Sequence, residues 1–249
     1  VRVALVETDT VWEDPAANRE AIRAALPEAD VAVFPELAFS GFTMRPEPDP
    51  LAEPFLRDLA AERHAGLVCG YTGPGPRNLA VAVSPAGKVL ARYAKLHPFS
   101  YAGEERVYLP GNDLPLFEIH GACAAMLICY DLRFPEPFRE AALRGALVFF
   151  VIANWPARRV DHWRALLRAR AIENQAFMIG VNRIGRDPNE EYVSSSLAVG
   201  PKGERIGEGA GTIEIDPAQA AEWRKEFPAL DDVRRDRYGL PAPEKTRAT

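Results

Sequence analysis

The 249-residue chain has little of what staples small proteins together or holds metals. Its three cysteines, Cys69, Cys123 and Cys129, form neither an even set nor a metal-spaced cluster, and its four scattered histidines include no His-Glu-x-x-His pair. A disulfide framework and a structural zinc site are therefore excluded as expectations, and the odd thiol count fits a reducing compartment. No apolar run approaches the roughly 20 residues that cross a bilayer. No basic segment leads from Val1 into an apolar stretch either, so the expectation is a cytoplasmic protein without a membrane span. Excess positive charge is also missing. With 35 acidic against 30 basic residues the net charge is -5, and no basic stripe interleaved with aromatics is present, so nucleic acid is not an expected partner.

What is present is the composition of a folded protein, 47% hydrophobic and 26% charged, which excludes general disorder. Short apolar runs alternate with helix-length segments, the signature of layered α/β architecture. The run VRVALVE is followed by a helix from about Ala16 to Leu26, the strand VAVF, a helix over Leu51 to His64, and the strand GLVCGY. Gly73 to Pro76 reads as a turn-rich linker, and LAVAVS and VLARYAK as a hairpin about Pro85-Ala86-Gly87-Lys88. Strands are expected around Leu116–His120 and Ala122–Cys129. Then come a helix over Glu136–Arg144, the strand ALVFFVIA, a long helix over Val160–Gln175 and the strand AFMIGVN. SSLAVG, ERIGEGAGTIEIDP and a helix around Ala218–Lys225 complete the pattern. No repeat or domain linker interrupts it, so one α/β domain over 1–249 with two sheets is expected, with about 228–249 as a tail or an arm ordered on another subunit.

The densest chemical signal is MLICYDLRFPEPFREAA. Cys129 ends a strand-like run before a polar turn and a helix, where a side chain can be exposed beside backbone N–H groups that stabilise an oxyanion. A buried core thiol is the competing reading of Cys129. A cysteine attacks carbonyls well if something takes its proton. Of the histidines only His97 sits in a polar turn; His64, His120 and His162 read as helix-end, strand-end and packing residues. Glu36, after VAVFP, is a substitute base if apolar neighbours raise its pKa. Lys95, ending RYAK, can hold an anionic intermediate or be a solvated lysine.

PELAFSGF around Glu36, YAKLHPF around Lys95 and ICYDLRFPE around Cys129, in that order, resemble the nitrilase or carbon-nitrogen hydrolase superfamily. The resemblance continues through VFFVIANWPARRVDHWRALLRARAIENQAFMIGVNRIG and reaches EFPAL. It implies a four-layer αββα sandwich and a Glu36, Lys95, Cys129 triad with the backbone N–H of Tyr130 at the oxyanion. It also implies a second glutamate, for which the family's spacing to Gly111 selects Glu104, with Glu105 as the alternative. It further implies face-to-face homodimers with exchanged C-terminal segments, and no metal or organic cofactor.

CYDLRFPE, ANWP, HWRALLRARAIENQA and NRIG most resemble the ω-amidase branch, which acts on 2-oxoglutaramate and 2-oxosuccinamate. A small carboxylate-bearing amide needs a cationic or donor-rich pocket end, for which Arg133, Asn154, Trp155, Asn182 and Arg183 are the candidates; for each arginine a structural salt bridge is the alternative. YVSSSLAVGPKG carries Ser194 where relatives often have glycine, a change expected to narrow or alter the pocket floor. N-carbamoyl amino acid hydrolases, deaminated-glutathione amidases and aliphatic amidases are alternatives within the superfamily. A non-catalytic homodimeric scaffold is the alternative of another class.

Overall fold

A computed structural model describes residues 1–240. The first half of the chain supplies β1 (Arg2–Leu5), α1 (Pro15–Ala25), β2 (Val31–Val33), α2 (Ala52–Arg63), β3 (Gly66–Gly73), β4 (Arg77–Val83) and β5 (Val89–Ala94). The second supplies β6 (Leu116–Ile119), β7 (Ala122–Ile128), α3 (Pro135–Leu143), β8 (Val148–Ala153), α4 (Val160–Asn174) and β9 (Phe177–Asn182). After them come β10 (Gly185–Arg186), β11 (Glu191–Tyr192), β12 (Leu197–Val199), β13 (Arg205–Glu208), β14 (Gly211–Glu214), α5 (Pro217–Glu226) and α6 (Arg235–Tyr238).

Two six-stranded sheets result, ordered β14-β1-β2-β3-β4-β5 and β13-β12-β9-β8-β7-β6. Each has a parallel core, β1-β2-β3 and β7-β8-β9, because a helix returns the chain between successive strands. In β1 the alternation separates the faces. Val3 and Leu5 join β7 to β9 residues between the sheets, while Ala4 packs with Ile22, Leu56 and Leu59 of α1 and α2. Strands β8 and β9 are buried throughout, since α3 and α4 cover their outer side with Phe138, Trp163 and Leu167. The architecture is a four-layer αββα sandwich.

Local signals explain the helix limits. The Asp14 carboxylate accepts from Ala17 N–H at 3.0 Å with Pro15 beginning α1, and Asp216 and Pro217 repeat the device at α5. Gln175, expected inside α4, is instead its left-handed cap at φ 48°. The turn expected over Gly73 to Pro76 is present at 74–76, but it is the tight turn of a hairpin, because β3 runs through Gly73 and pairs antiparallel with β4. ERIGEGAGTIEIDP splits into β13 and β14, which join different sheets. Of the expected arm, 228–240 contains turns and α6, and 241–249 lie outside the described residues.

The consequence for function lies at the strand ends. Glu36 follows β2 in one sheet, while Cys129 follows β7 and Asn154 follows β8 in the other. Loops beyond the carboxyl ends of parallel strands thus meet across the sandwich.

Candidate active site

Cys129 does not finish strand β7. It turns to φ 46° and opens a short 3-10 turn, Cys129–Arg133, a left-handed conformation that a non-glycine residue holds only when its surroundings enforce it. The enforcement is Asp131, fully buried, whose carboxylate accepts from Ile128 N–H at 3.0 Å, Tyr93 Oη–H at 2.7 Å and His97 N–H at 3.0 Å. The His97 ring joins it through Nδ1 at 2.8 Å and stacks on Phe134. His97 therefore ties the segment after Lys95 to the cysteine turn. At the head of this turn the Tyr130 N–H belongs to the donors that no carbonyl of the turn can take.

Glu36 is placed by another strained turn, in which Leu37 has φ 45°. Strand β3 passes so close that a Cβ on Gly70 would lie 2.6 Å from the Glu36 Cα, so glycine is required there. The Glu36 side chain is fully buried. Its Oε1 accepts from Lys95 Nζ at 2.8 Å and Asn78 Nδ2 at 2.7 Å, and its Oε2 from Asn154 N–H at 2.8 Å. Lys95 Nζ also donates to Glu104 Oε2 at 2.8 Å, and Asn78 Nδ2 to Glu104 Oε1 at 2.9 Å. Glu104 accepts additionally from Phe99 N–H at 2.6 Å. Gly111 supports the lysine, since its N–H donates to Lys95 O at 2.9 Å where a Cβ would collide with Ala94 O.

One buried ammonium thus faces two buried carboxylates beside a thiol. Burial drives the Cys129 thiol well above its ordinary pKa, and the Glu36 charge adds to this. Burial by itself pulls Lys95 down, but Glu104 and Glu36 outweigh it and hold the ammonium well above its usual value. Burial also raises Glu104, against the opposing pull of Lys95. The resting group is a neutral thiol beside a fixed cation.

A cavity of about 300 Å³ opens over Cys129. Phe42, Met44, Phe99 and Trp155 make it largely apolar, and Arg133, Arg158 and Arg159 add cationic groups. Arg133 lies over the Trp155 ring and Arg159 over Phe99, and neither forms an ion pair among the described residues. Arg158 is paired with Glu190. Among the described residues no group of three or more His, Cys, Asp or Glu side chains could hold a metal.

Glu36, Lys95, Glu104 and Cys129 are brought together, whereas Glu105 is exposed beside Arg106. Tyr130, Arg133, Asn154 and Trp155 line the cavity. Asn182 does not. It stands behind Trp155, accepting from its N–H at 2.7 Å and donating to its carbonyl at 2.8 Å, because β9 ends one strand away. Arg183 is fully buried against Asp9, Thr10 O and the Tyr192 ring and does not reach the cavity wall. Ser194 is exposed and absent from the cavity, so its replacement of glycine does not narrow the floor. Sequence reasoning passed over Asn78, although an asparagine within the strand formers of RNLAVAV was a signal. It also passed over Arg158, Arg159 and Glu190, which carry no local signature.

The carbon-nitrogen hydrolase family model matches residues 2–225. The 2-oxoglutaramate amidase of Bacillus subtilis is 35% identical, the match covering 84% of this chain and 87% of that protein. The omega-amidase YafV of Escherichia coli K12 is 36% identical over 94% of this chain and 96% of its own length. XC1258 of Xanthomonas campestris, a superfamily member solved with an arsenic adduct in its active site, superposes with a TM-score of 0.86 at 32% identity. That match covers 94% of this chain and 97% of XC1258. With the match running through every strand of both sheets and through the whole Glu36, Lys95 and Cys129 cluster, this chain is a member of the carbon-nitrogen hydrolase family, an amide-hydrolysing enzyme of the nitrilase superfamily.

Proposed function

We propose that the enzyme hydrolyses the terminal amide of a small dicarboxylate monoamide, such as 2-oxoglutaramate, to the acid and ammonia. The observation that carries this reading is the pair of guanidinium groups, Arg133 and Arg159, which form no ion pair among the described residues, on the wall of a cavity that ends at Cys129. Arginine presents a planar fork to a carboxylate, and an apolar cavity strengthens the attraction. The relatives named 2-oxoglutaramate amidase and omega-amidase support the same substrate.

The chemistry follows from the cluster. Glu36 takes the proton of Cys129 as Sγ attacks the amide carbon, so the costly free thiolate never accumulates. Lys95 Nζ and the Tyr130 N–H hold the oxyanion. Glu36 returns the proton to the nitrogen, the C–N bond breaks, and ammonia leaves a thioester on Cys129. Water, losing a proton to Glu36, attacks the thioester, and collapse regenerates the thiol and releases the acid. Glu104 fixes Lys95 and, through Asn78, shares its hydrogen bonding with Glu36. Asn154 clamps Glu36 from the opposite sheet and, with Trp155, shapes the cavity wall.

Ammonia release from 2-oxoglutaramate, 2-oxosuccinamate, glutamine, an N-carbamoyl amino acid and an aliphatic amide tests the assignment. Preference for the two oxo-acid amides, with loss of at least about 1,000-fold in Cys129→Ala, is expected. Preference for another amide would discard the substrate, and turnover unaffected by the mutation would discard the mechanism. A cytoplasmic homodimer, with the segment from about 228 packing on the partner, belongs to the same proposal. Exposed Ile172 and Phe227 support a subunit contact, which light scattering tests.

A further inference from the structure

The three arginines of the cavity are not equivalent. Arg133 and Arg159 lie against aromatic rings, and among the described residues neither forms an ion pair, although the Glu190 charge reaches Arg159. Arg158 lines the same cavity but is occupied: its guanidinium engages both oxygens of Glu190, Nε at 3.2 Å from Oε2 and Nη2 against Oε1. Glu190 also lines the cavity, so this carboxylate lies where a carboxylate of a ligand would meet Arg158. Its backbone is held in place. Glu190 N–H donates to Asp187 Oδ1 at 2.8 Å, and Asp187 Oδ2 accepts from Tyr192 Oη–H at 2.7 Å. On the other side Arg158 sits on the turn Ala157–Arg159, whose last carbonyl accepts from Trp155 Nε1 at 2.7 Å. The two backbones are thus held on separate segments, the β10-β11 turn and the β8-α4 connection, and the side chains meet at the exposed rim of the cavity.

We infer that Glu190 masks a third carboxylate-binding arginine and thereby restricts the site to amides bearing one carboxylate, excluding those bearing two. The inference rests on the amidase reading for its substrate class. Its electrostatics have two sides with opposite signs. Neutralising Glu190 frees Arg158 for a second ligand carboxylate, whereas neutralising Arg158 leaves Glu190 bare beside whatever anion enters. An ion pair that only braces the two walls would give both changes the same sign.

Calorimetric titration of the Cys129→Ala protein, which holds ligand without turnover, separates these cases. The probes are glutaramate, with one carboxylate, and the monoamide of tricarballylic acid, with two. Adding Glu190→Gln is expected to tighten the two-carboxylate probe about tenfold or more relative to the one-carboxylate probe. Adding Arg158→Gln is expected to weaken both, the two-carboxylate probe more. The double replacement is expected to return the one-carboxylate probe to within about threefold of the parent. Equal-sign effects of the two single replacements, an unchanged ratio between probes in Glu190→Gln, or no binding of either probe to that variant would overturn the inference. Failure of the unmodified enzyme to release ammonia from one-carboxylate amides would instead refute the substrate reading, and the binding ratios would still decide whether Arg158 is masked.

Discussion

Two carboxylates share one buried ammonium beside Cys129, so neutralising one of them leaves a balanced pair rather than a stranded charge. Glu104 has its pKa raised by burial, and a group so shifted keeps a proton in the folded state that the unfolded chain has already lost. Its contribution to stability therefore falls as pH rises above the ordinary carboxylate value of 4.5. Lys95, raised by its two carboxylates against the pull of burial, works over another window. Its contribution is complete below the ordinary 10.5 and is lost only as pH rises through the higher folded value. Glu104→Gln is expected to lower kcat at least about 100-fold, since Lys95 loses one of its anchors. It is also expected to leave Tm at neutral pH no lower than in the unmodified enzyme, with a flatter profile as pH rises above 4.5. A melting series against pH beside the kinetics checks both; a large fall in Tm would contradict the charge argument. Sequence reading singled out the four residues of this cluster through their motifs. Asn78, whose one amide nitrogen bridges Glu36 and Glu104, was marked only by its place among strand formers, and its role was not legible because the contact joins three separate segments.

At the scale of elements, the site depends on close approaches that only small residues permit. Gly70 of β3 donates its N–H to Pro35 O at 3.1 Å and accepts from Ala38 N–H at 2.8 Å, straddling the Glu36 turn. Gly70→Ala would force Cβ against Glu36 Cα and Leu37 N, so a kcat loss of about 100-fold or more is expected with the variant still folded by circular dichroism. Arg224 of α5 acts far from the chemistry. Its guanidinium donates to Ala146 O at 2.6 Å, Asn174 O at 2.9 Å, Gln175 O at 3.2 Å and Ala142 O at 3.4 Å, closing the carboxyl ends of α3 and α4 together. Burial lowers its pKa to about 10, and among the described residues it forms no ion pair with a carboxylate to offset that cost. Arg224→Ala is expected to destabilise the fold by about 3 kcal/mol in urea titrations, with little change in KM. Helices α1 to α5 and the buried parallel strands were legible within a residue or two, because Asp14, Pro15, Asp216 and Pro217 mark starts and ALVFFVIA marks a strand covered on both faces, whereas the four-residue α6 was not anticipated. The split of β13 from β14 was not, since two four-residue strands with the same alternation carry no sign of which sheet they join.

For the whole molecule, neither sheet contains an active site by itself. Glu36, Asn78 and Lys95 come from one sheet and its loops, Cys129 and Asn154 from the other, and the Asn154 N–H to Glu36 contact spans 118 residues of sequence. The motifs therefore pointed to Glu36, Lys95 and Cys129, while their distances had to come from the packing of two sheets whose inward faces carry Val3, Leu5, Met126 and Phe150. The same dependence explains why Asn182 and Ser194 were misplaced from sequence. Position after a strand indicates the right rim of the sandwich but not which side chain clears its neighbours to reach the cavity. Everything proposed for this rim converges on a covalent acyl group at Cys129. The most direct measurement is intact-protein mass spectrometry after millisecond acid quench of the enzyme mixed with 2-oxoglutaramate. An adduct of substrate minus ammonia, mapped to the peptide containing Cys129 and absent in Cys129→Ala, is the predicted result. Ammonia release at full rate with no such adduct at any quench time, or an adduct that persists in Cys129→Ala, would contradict the account.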